Sequence, residues 1–77
     1  MTEFDNLKRS YIAAIETGLA ANAGYQNCKF ANEAIHKFCE ILIDNSNYSN
    51  KTAMKQELEL LKETLAKEIE TCYQVRG

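Results

Sequence analysis

Residues 50–72 read NKTAMKQELELLKETLAKEIETC, and apolar side chains recur there at Met54, Leu58, Leu61, Leu65, Ile69 and Cys72. Steps of three and four residues place all six on one side of a helix with 3.6 residues per turn. Lys and Glu alternate over the remaining surface. Lys55/Glu59 and Glu63/Lys67 stand four apart, the spacing at which opposite charges support a helix. Ser49 or Asn50 offers a side-chain oxygen to the first turn. A helix is therefore expected over about 50–75.

Working back, Asp44-Asn45-Ser46-Asn47-Tyr48-Ser49-Asn50 is a cluster of turn formers. Before it, Cys28, Ala31, Ile35, Phe38, Cys39 and Leu42 form the main stripe expected of a second helix, over about 26–44. At 100° per residue, Phe30, Ala34 and Ile41 fall together on the opposite side, with Lys37 among them. Further back still, Phe4, Leu7, Tyr11, Ile15 and Leu19 share a face, flanked by Ile12, in a first helix over about 3–22. Thr2 with Asp5 three residues on suggests its N-terminal cap. Asn22-Ala23-Gly24 closes it with residues that tolerate the left-handed conformation.

The second half of that helix is small-sided: Ala13, Ala14, Thr17, Gly18, Ala20, Ala21 and Ala23. An interior Gly costs about 1 kcal/mol relative to Ala. Close approach of another helix would justify Gly18; loose composition is the alternative. Three amphipathic helices with short connections pack most simply as an all-α, antiparallel three-helix bundle, one domain over residues 1–77.

Composition restricts function. The chain has 77 residues, 45% apolar and 26% charged, with no Pro and no Trp, which is globular rather than disordered. Its net charge is −2 and no segment is basic, so the stripe that neutralises phosphates is missing and no nucleic-acid partner is expected. No apolar run approaches the roughly 18 residues of a membrane span, and no membrane partner is expected. Met1-Thr2-Glu3-Phe4-Asp5 has no cationic leader, and Cys28, Cys39 and Cys72 are an odd count without CxxC spacing. Free thiols in a cytoplasmic protein are the expectation. Asn47-Tyr48-Ser49 and Asn50-Lys51-Thr52 match the glycosylation sequon, a match that Asn-rich loops make by chance.

Chemistry-bearing residues are few. His36 is the sole histidine, and Cys39 lies three residues on, on the same side of the helix. A thiol with a neighbouring base is the minimum of a nucleophilic or redox site. No Gly-rich loop, nucleophile elbow or orienting acid accompanies the pair, so no catalytic residue is assigned and no enzyme is expected. A structural metal would require paired ligands, and Cys28 and Cys72 stand alone, so no metal or cofactor is expected. All three cysteines lie on apolar stripes, which favours packing. Glu57/Glu59 and Glu68/Glu70 are two apart and point to different faces, as solvated charges do.

The length, three helices and Ala23-Gly24-Tyr25 at the first turn resemble the microtubule-interacting-and-trafficking domain. That resemblance implies a three-helix fold binding helical peptides in grooves between helices. Thr64-Leu65-Ala66-Lys67-Glu68-Ile69 departs from it, lacking the family's tyrosine and its arginine-alanine-glutamate run. No residue role is carried over.

The leftover apolar side chains carry the functional expectation. Phe30, Ala34 and Ile41 around Lys37, with Leu60 off the stripe of the third helix and Tyr48 in the loop, are the expected partner-binding residues. Small scaffolds bury little, and added support from a partner is common. A small interaction protein of the adaptor, inhibitor, immunity-factor or secretion-chaperone kind is the first expectation. A homodimer or larger helical homo-oligomer using the same face is the alternative, and a Cys39/His36 redox or metal sensor the third.

Overall fold

The computed structural model of the protein describes residues 2–74. It consists of α1 (Glu3–Ala20), α2 (Tyr25–Asp44) and α3 (Lys51–Tyr73), each in contact with the other two as a three-helix bundle. The α2–α3 contact is the most extensive. Among the described residues there is no strand, and no helix is long and apolar enough to cross a membrane. The expected helices are all present. The third ends at Tyr73, with Gln74 left-handed; Val75 lies outside the described residues.

The ends of α1 follow from its sequence. The Asp5 amide donates to Thr2 Oγ1 (3.0 Å) and the Thr2 amide to Asp5 Oδ2 (3.4 Å), a reciprocal capping box. The Thr2 hydroxyl, and then its amide, holds the Asp5 carboxyl below its ordinary range. At the other end Asn22 is left-handed at φ 54°. Its amide donates to the Leu19 carbonyl and that of Ala23 to the Gly18 carbonyl, the Schellman pattern. Gly24 follows at φ 110°, a conformation that a side chain would oppose.

The start of α3 differs from expectation. Asn50 occupies the cap position, but its side chain makes no capping bond. Both early lysines turn back to the end of α2: Lys51 Nζ donates to the Asp44 carbonyl (3.0 Å), and Lys55 Nζ meets the Asp44 carboxylate at 2.6 Å. Lys55 thus closes the α2–α3 turn. Tyr48, in that turn, is half-buried and donates to Glu3 Oε2 at 3.0 Å, which ties the loop to the start of α1. At the other end of the bundle the Gly24 amide donates to Tyr73 Oη (2.9 Å), and Tyr25 donates to Glu70.

One column of side chains runs through the bundle: Phe4, Tyr11 and Ile15; Cys28, Cys39 and Ile43; Leu58, Leu65 and Ile69. Two polar residues of α2, Asn32 and His36, are buried with them. Tyr11 Oη donates to Asn32, where both Oδ1 and the carbonyl lie within reach. Asn32 Nδ2 donates to the Lys62 carbonyl of α3 at 3.1 Å. One amide therefore links all three helices.

Two expectations are corrected here. Cys72, placed on the buried stripe of α3, is exposed. At Gly18 an added methyl would meet Cys28 Sγ at 3.6 Å, ordinary contact, so no close helix approach requires glycine there.

Gly18→Ala is accordingly expected to raise stability by up to about 1 kcal/mol, through helix propensity and a less disordered unfolded chain. Urea unfolding measures it, and a loss of stability would show that α1 and α2 lie closer than this. Tyr11→Phe removes the donor to Asn32 and is expected to cost about 1–3 kcal/mol. Burial pushes the Tyr11 hydroxyl well above the ordinary tyrosine value of 10.0. A raised folded value means stability that is present in full below the unfolded value and lost as pH rises beyond it. The fall in stability between neutral pH and about pH 11 should therefore be smaller in Tyr11→Phe than in the native chain. Equal slopes would place that hydroxyl in water.

Candidate functional site

The orientation of α2 about its own axis decides what the surface presents. The expected inner stripe was Cys28, Ala31, Ile35, Phe38, Cys39 and Leu42. The buried set is Cys28, Asn32, His36, Cys39 and Ile43, with Ala31 and Ile35 half-buried at its edge. Phe38 and Leu42, expected inside, are 59% and 42% exposed. At 100° per residue the inner face is turned by roughly 60° from the stripe that hydrophobicity alone selects. Asn32, His36 and Ile43 have moved in. The Tyr11 and Lys62 hydrogen bonds to Asn32 favour this orientation.

The outer face of α2 is correspondingly apolar. Phe30 is 65% exposed and Ile41 48%; Ile41 adjoins Phe38 and Leu42, while Phe30 lies about 12 Å further towards the start of α2, with Ala34 between. Ala34 and Lys37 are exposed among them, as expected. Of the six expected binding residues, Phe30, Ala34, Lys37 and Ile41 thus share one face. Leu60, 63% exposed, is elsewhere: it lines a groove between α1 and α3 with Ile12 and Leu61, under the charged Lys8, Arg9 and Glu57. Lys8 closes that groove on one side through a 2.9 Å contact with Glu57 Oε2, which raises the Lys8 ammonium above its ordinary value. Tyr48 is also separate, since its hydroxyl is engaged by Glu3 and its ring half-buried.

The two phenyl rings decide how large the patch is. At 65% and 59% exposure, and about 150–250 Å² per aromatic side chain, they alone present roughly 200–300 Å². Ile41, Leu42, Ala31 and Ala34 extend it into the range of interaction surfaces. Charge lies along one side: Lys29, Glu33, Lys37 and Glu40 alternate in sign, and Asp44 beyond them is held by Lys55.

Polar chemistry inside the bundle is sparse. His36 Nε2 lies 3.1 Å from Glu59 Oε2 but off the line of a hydrogen bond, so this buried nitrogen has no aligned partner. His36 Nδ1 is 3.8 Å from Glu40. Cys39, three residues on, is 1% exposed, and burial pushes its thiol up, away from the thiolate that nucleophilic chemistry requires. Among the described residues no three His, Cys, Asp or Glu side chains converge on a point where a metal ion could sit.

Sequence reasoning missed Asn32 as a structural residue. The available signal was its position, four residues from both Cys28 and His36 and seven from Cys39 on one helix side. No family model, curated protein or solved structure matches this chain.

Thiol labelling of the native protein should modify Cys72 alone, with Cys28 and Cys39 reacting only after denaturation. Comparable labelling of Cys39 in the folded state would mean that its surroundings are open to water.

Proposed function

We propose that this chain is a non-enzymatic protein–protein interaction module that works through the outer face of α2. One observation carries the reading: α2 buries Asn32 and His36 while Phe30, Phe38, Ile41 and Leu42 stay outside. Burying a Phe, Leu or Ile side chain is worth about 1.5–3 kcal/mol. A helix packed only for its own stability would put Phe38 and Leu42 inward and its amide outward. The reverse orientation leaves a continuous apolar surface whose burial is available to a partner. Phe30 and Phe38 are the expected anchors. Lys37 and the flanking Glu33 and Glu40 would set the orientation of whatever docks. An adaptor, inhibitor, immunity factor or secretion chaperone would act through such a face.

The reading requires that the face contribute to binding and little to folding. Phe30→Asp and Phe38→Asp are each expected to keep native helicity, with a change in stability below about 1 kcal/mol, since both side chains are already mostly in water. Loss of cooperative unfolding in either would assign that ring to the core. Binding itself is read by placing the photo-cross-linker benzoylphenylalanine at Ala34 in cells. A single defined protein adduct is expected, lost when Phe38→Asp is combined with it. The same group at Glu63, on another helix, is the control. Equal adducts from both positions, or none from Ala34, would remove the proposal.

A further inference from the structure

We propose that His36 is a proton-operated latch between α2 and α3. With a proton on both ring nitrogens it ties the inner face of α2 to Glu59, and without the second proton the tie weakens. Both nitrogens face carboxylates. Nε2 lies 3.1 Å from Glu59 Oε2 on α3, and Nδ1 lies 3.8 Å from Glu40 Oε1, one turn along α2. An ionised carboxylate only accepts hydrogen bonds. A neutral imidazole has one N–H and one lone pair, so it matches one of these neighbours and turns a lone pair to the other. The imidazolium has two N–H groups and suits both.

Burial fixes which proton does the switching. His36 is 5% exposed, and its Nε2 is shut off from water with no aligned partner. A lone pair there would face only the Glu59 carboxylate, so the permanent N–H belongs at Nε2. The second proton comes and goes at Nδ1, beside Glu40. The charges around the ring leave it to these two acids. Lys55 stands four residues before Glu59, the spacing of an ion pair, but its ammonium is taken by the Asp44 carboxylate at 2.6 Å and only the longer-range field of Glu40 reaches it. Lys8 of α1 is held by Glu57 and Asp5. Tyr11, the titratable side chain that α1 turns into this part of the column, is neutral and donates to Asn32, one turn before His36. Among the described residues, His36 is the only cationic group within ion-pair distance of Glu40 or Glu59. Both carboxylates stay partly in water, so the cost of desolvation falls on the ring alone, and two acids close to it favour its charged form. Asn32 and His36 share a face, so the latch holds α2 in the orientation that Asn32 sets, and acid strengthens that hold.

His36 is the sole histidine, so proton uptake between about pH 7.5 and pH 5.5 is read from one side chain. In the full chain, NMR of the imidazole should show the second proton retained to higher pH in the native protein than in Glu59→Gln, with a smaller change in Glu40→Gln. Gln still accepts a hydrogen bond, so each substitution removes only the charge. Glu68→Gln, exposed further along α3, should change nothing. Urea unfolding reads the latch itself. At about pH 5.5, Glu59→Gln should lower the folding equilibrium constant about threefold to tenfold, and at about pH 7.5 less than twofold. A double-mutant cycle with His36→Gln should show the coupling at the lower pH and lose it at the higher one. If His36→Gln does not fold, the NMR titration and Glu59→Gln decide by themselves. A titration unchanged in Glu59→Gln would overturn the proposal, since the contact would then lie within α2 alone. So would an equal effect of Glu59→Gln at both pH values, the result of a neutral hydrogen bond, or a native stability that falls relative to His36→Gln on acidification.

Discussion

The Asn32 side chain is the constraint on which the surface depends. It accepts from the Tyr11 hydroxyl of α1 and donates to the Lys62 carbonyl of α3, so one amide links the three helices. A buried amide without partners would cost several times what its hydrogen bonds contribute. Once Asn32 is inside, α2 cannot rotate to bring Phe38 and Leu42 in without tearing those bonds. The geometry is self-consistent: a tyrosine on one helix, an amide on the next and a main-chain carbonyl on the third meet at one level of the column.

The consequence is an inversion of the usual amphipathic logic on a single helix. Helices α1 and α3 turn inward the stripes their patterns predict, with Leu7, Leu19, Met54 and Leu61 half-buried and Cys72 exposed. In α2 two polar side chains are inside and four large apolar ones outside. A bundle of 41 × 22 × 17 Å has a core only one side chain deep between its helices, so each helix has one inward face and nowhere else to hide apolar surface. What α2 leaves out therefore stays on the surface. His36 belongs to the same inversion. It occupies the inner face beside Glu59 without an aligned hydrogen bond.

Much of the fold was legible. The helix ends were read from specific residues: Thr2 and Asp5 at one terminus, Asn22 with Gly24 at the next turn, the Asn-rich break after Asp44. Each acts locally, through hydrogen bonds or backbone preferences that span only a few residues. The grouping of Phe30, Ala34, Lys37 and Ile41 was legible for the same reason, since helix geometry alone aligns them. The placement of Phe38, Leu42 and Ile43 was not. Their angular positions flank the true inner face, and hydrophobicity favoured the stripe holding Phe38 and Leu42 over the one holding Ile43. Tyr48 and Leu60 were read as candidates from exposure expected of a loop and an off-stripe position. Tyr48 is drawn to Glu3, forty-five residues away, a contact that no local pattern encodes.

By itself, then, the sequence determined three helices, their limits and the apolar content of each face, because these depend on periodicity and on neighbours within a few residues. Tertiary structure alone decided which of the α2 faces turns inward. That choice rests on the long-range bonds of Asn32 to Tyr11 and Lys62, twenty-one and thirty residues away. Rotating a helix about its axis leaves its internal hydrogen bonds unchanged, so only its neighbours can fix the angle.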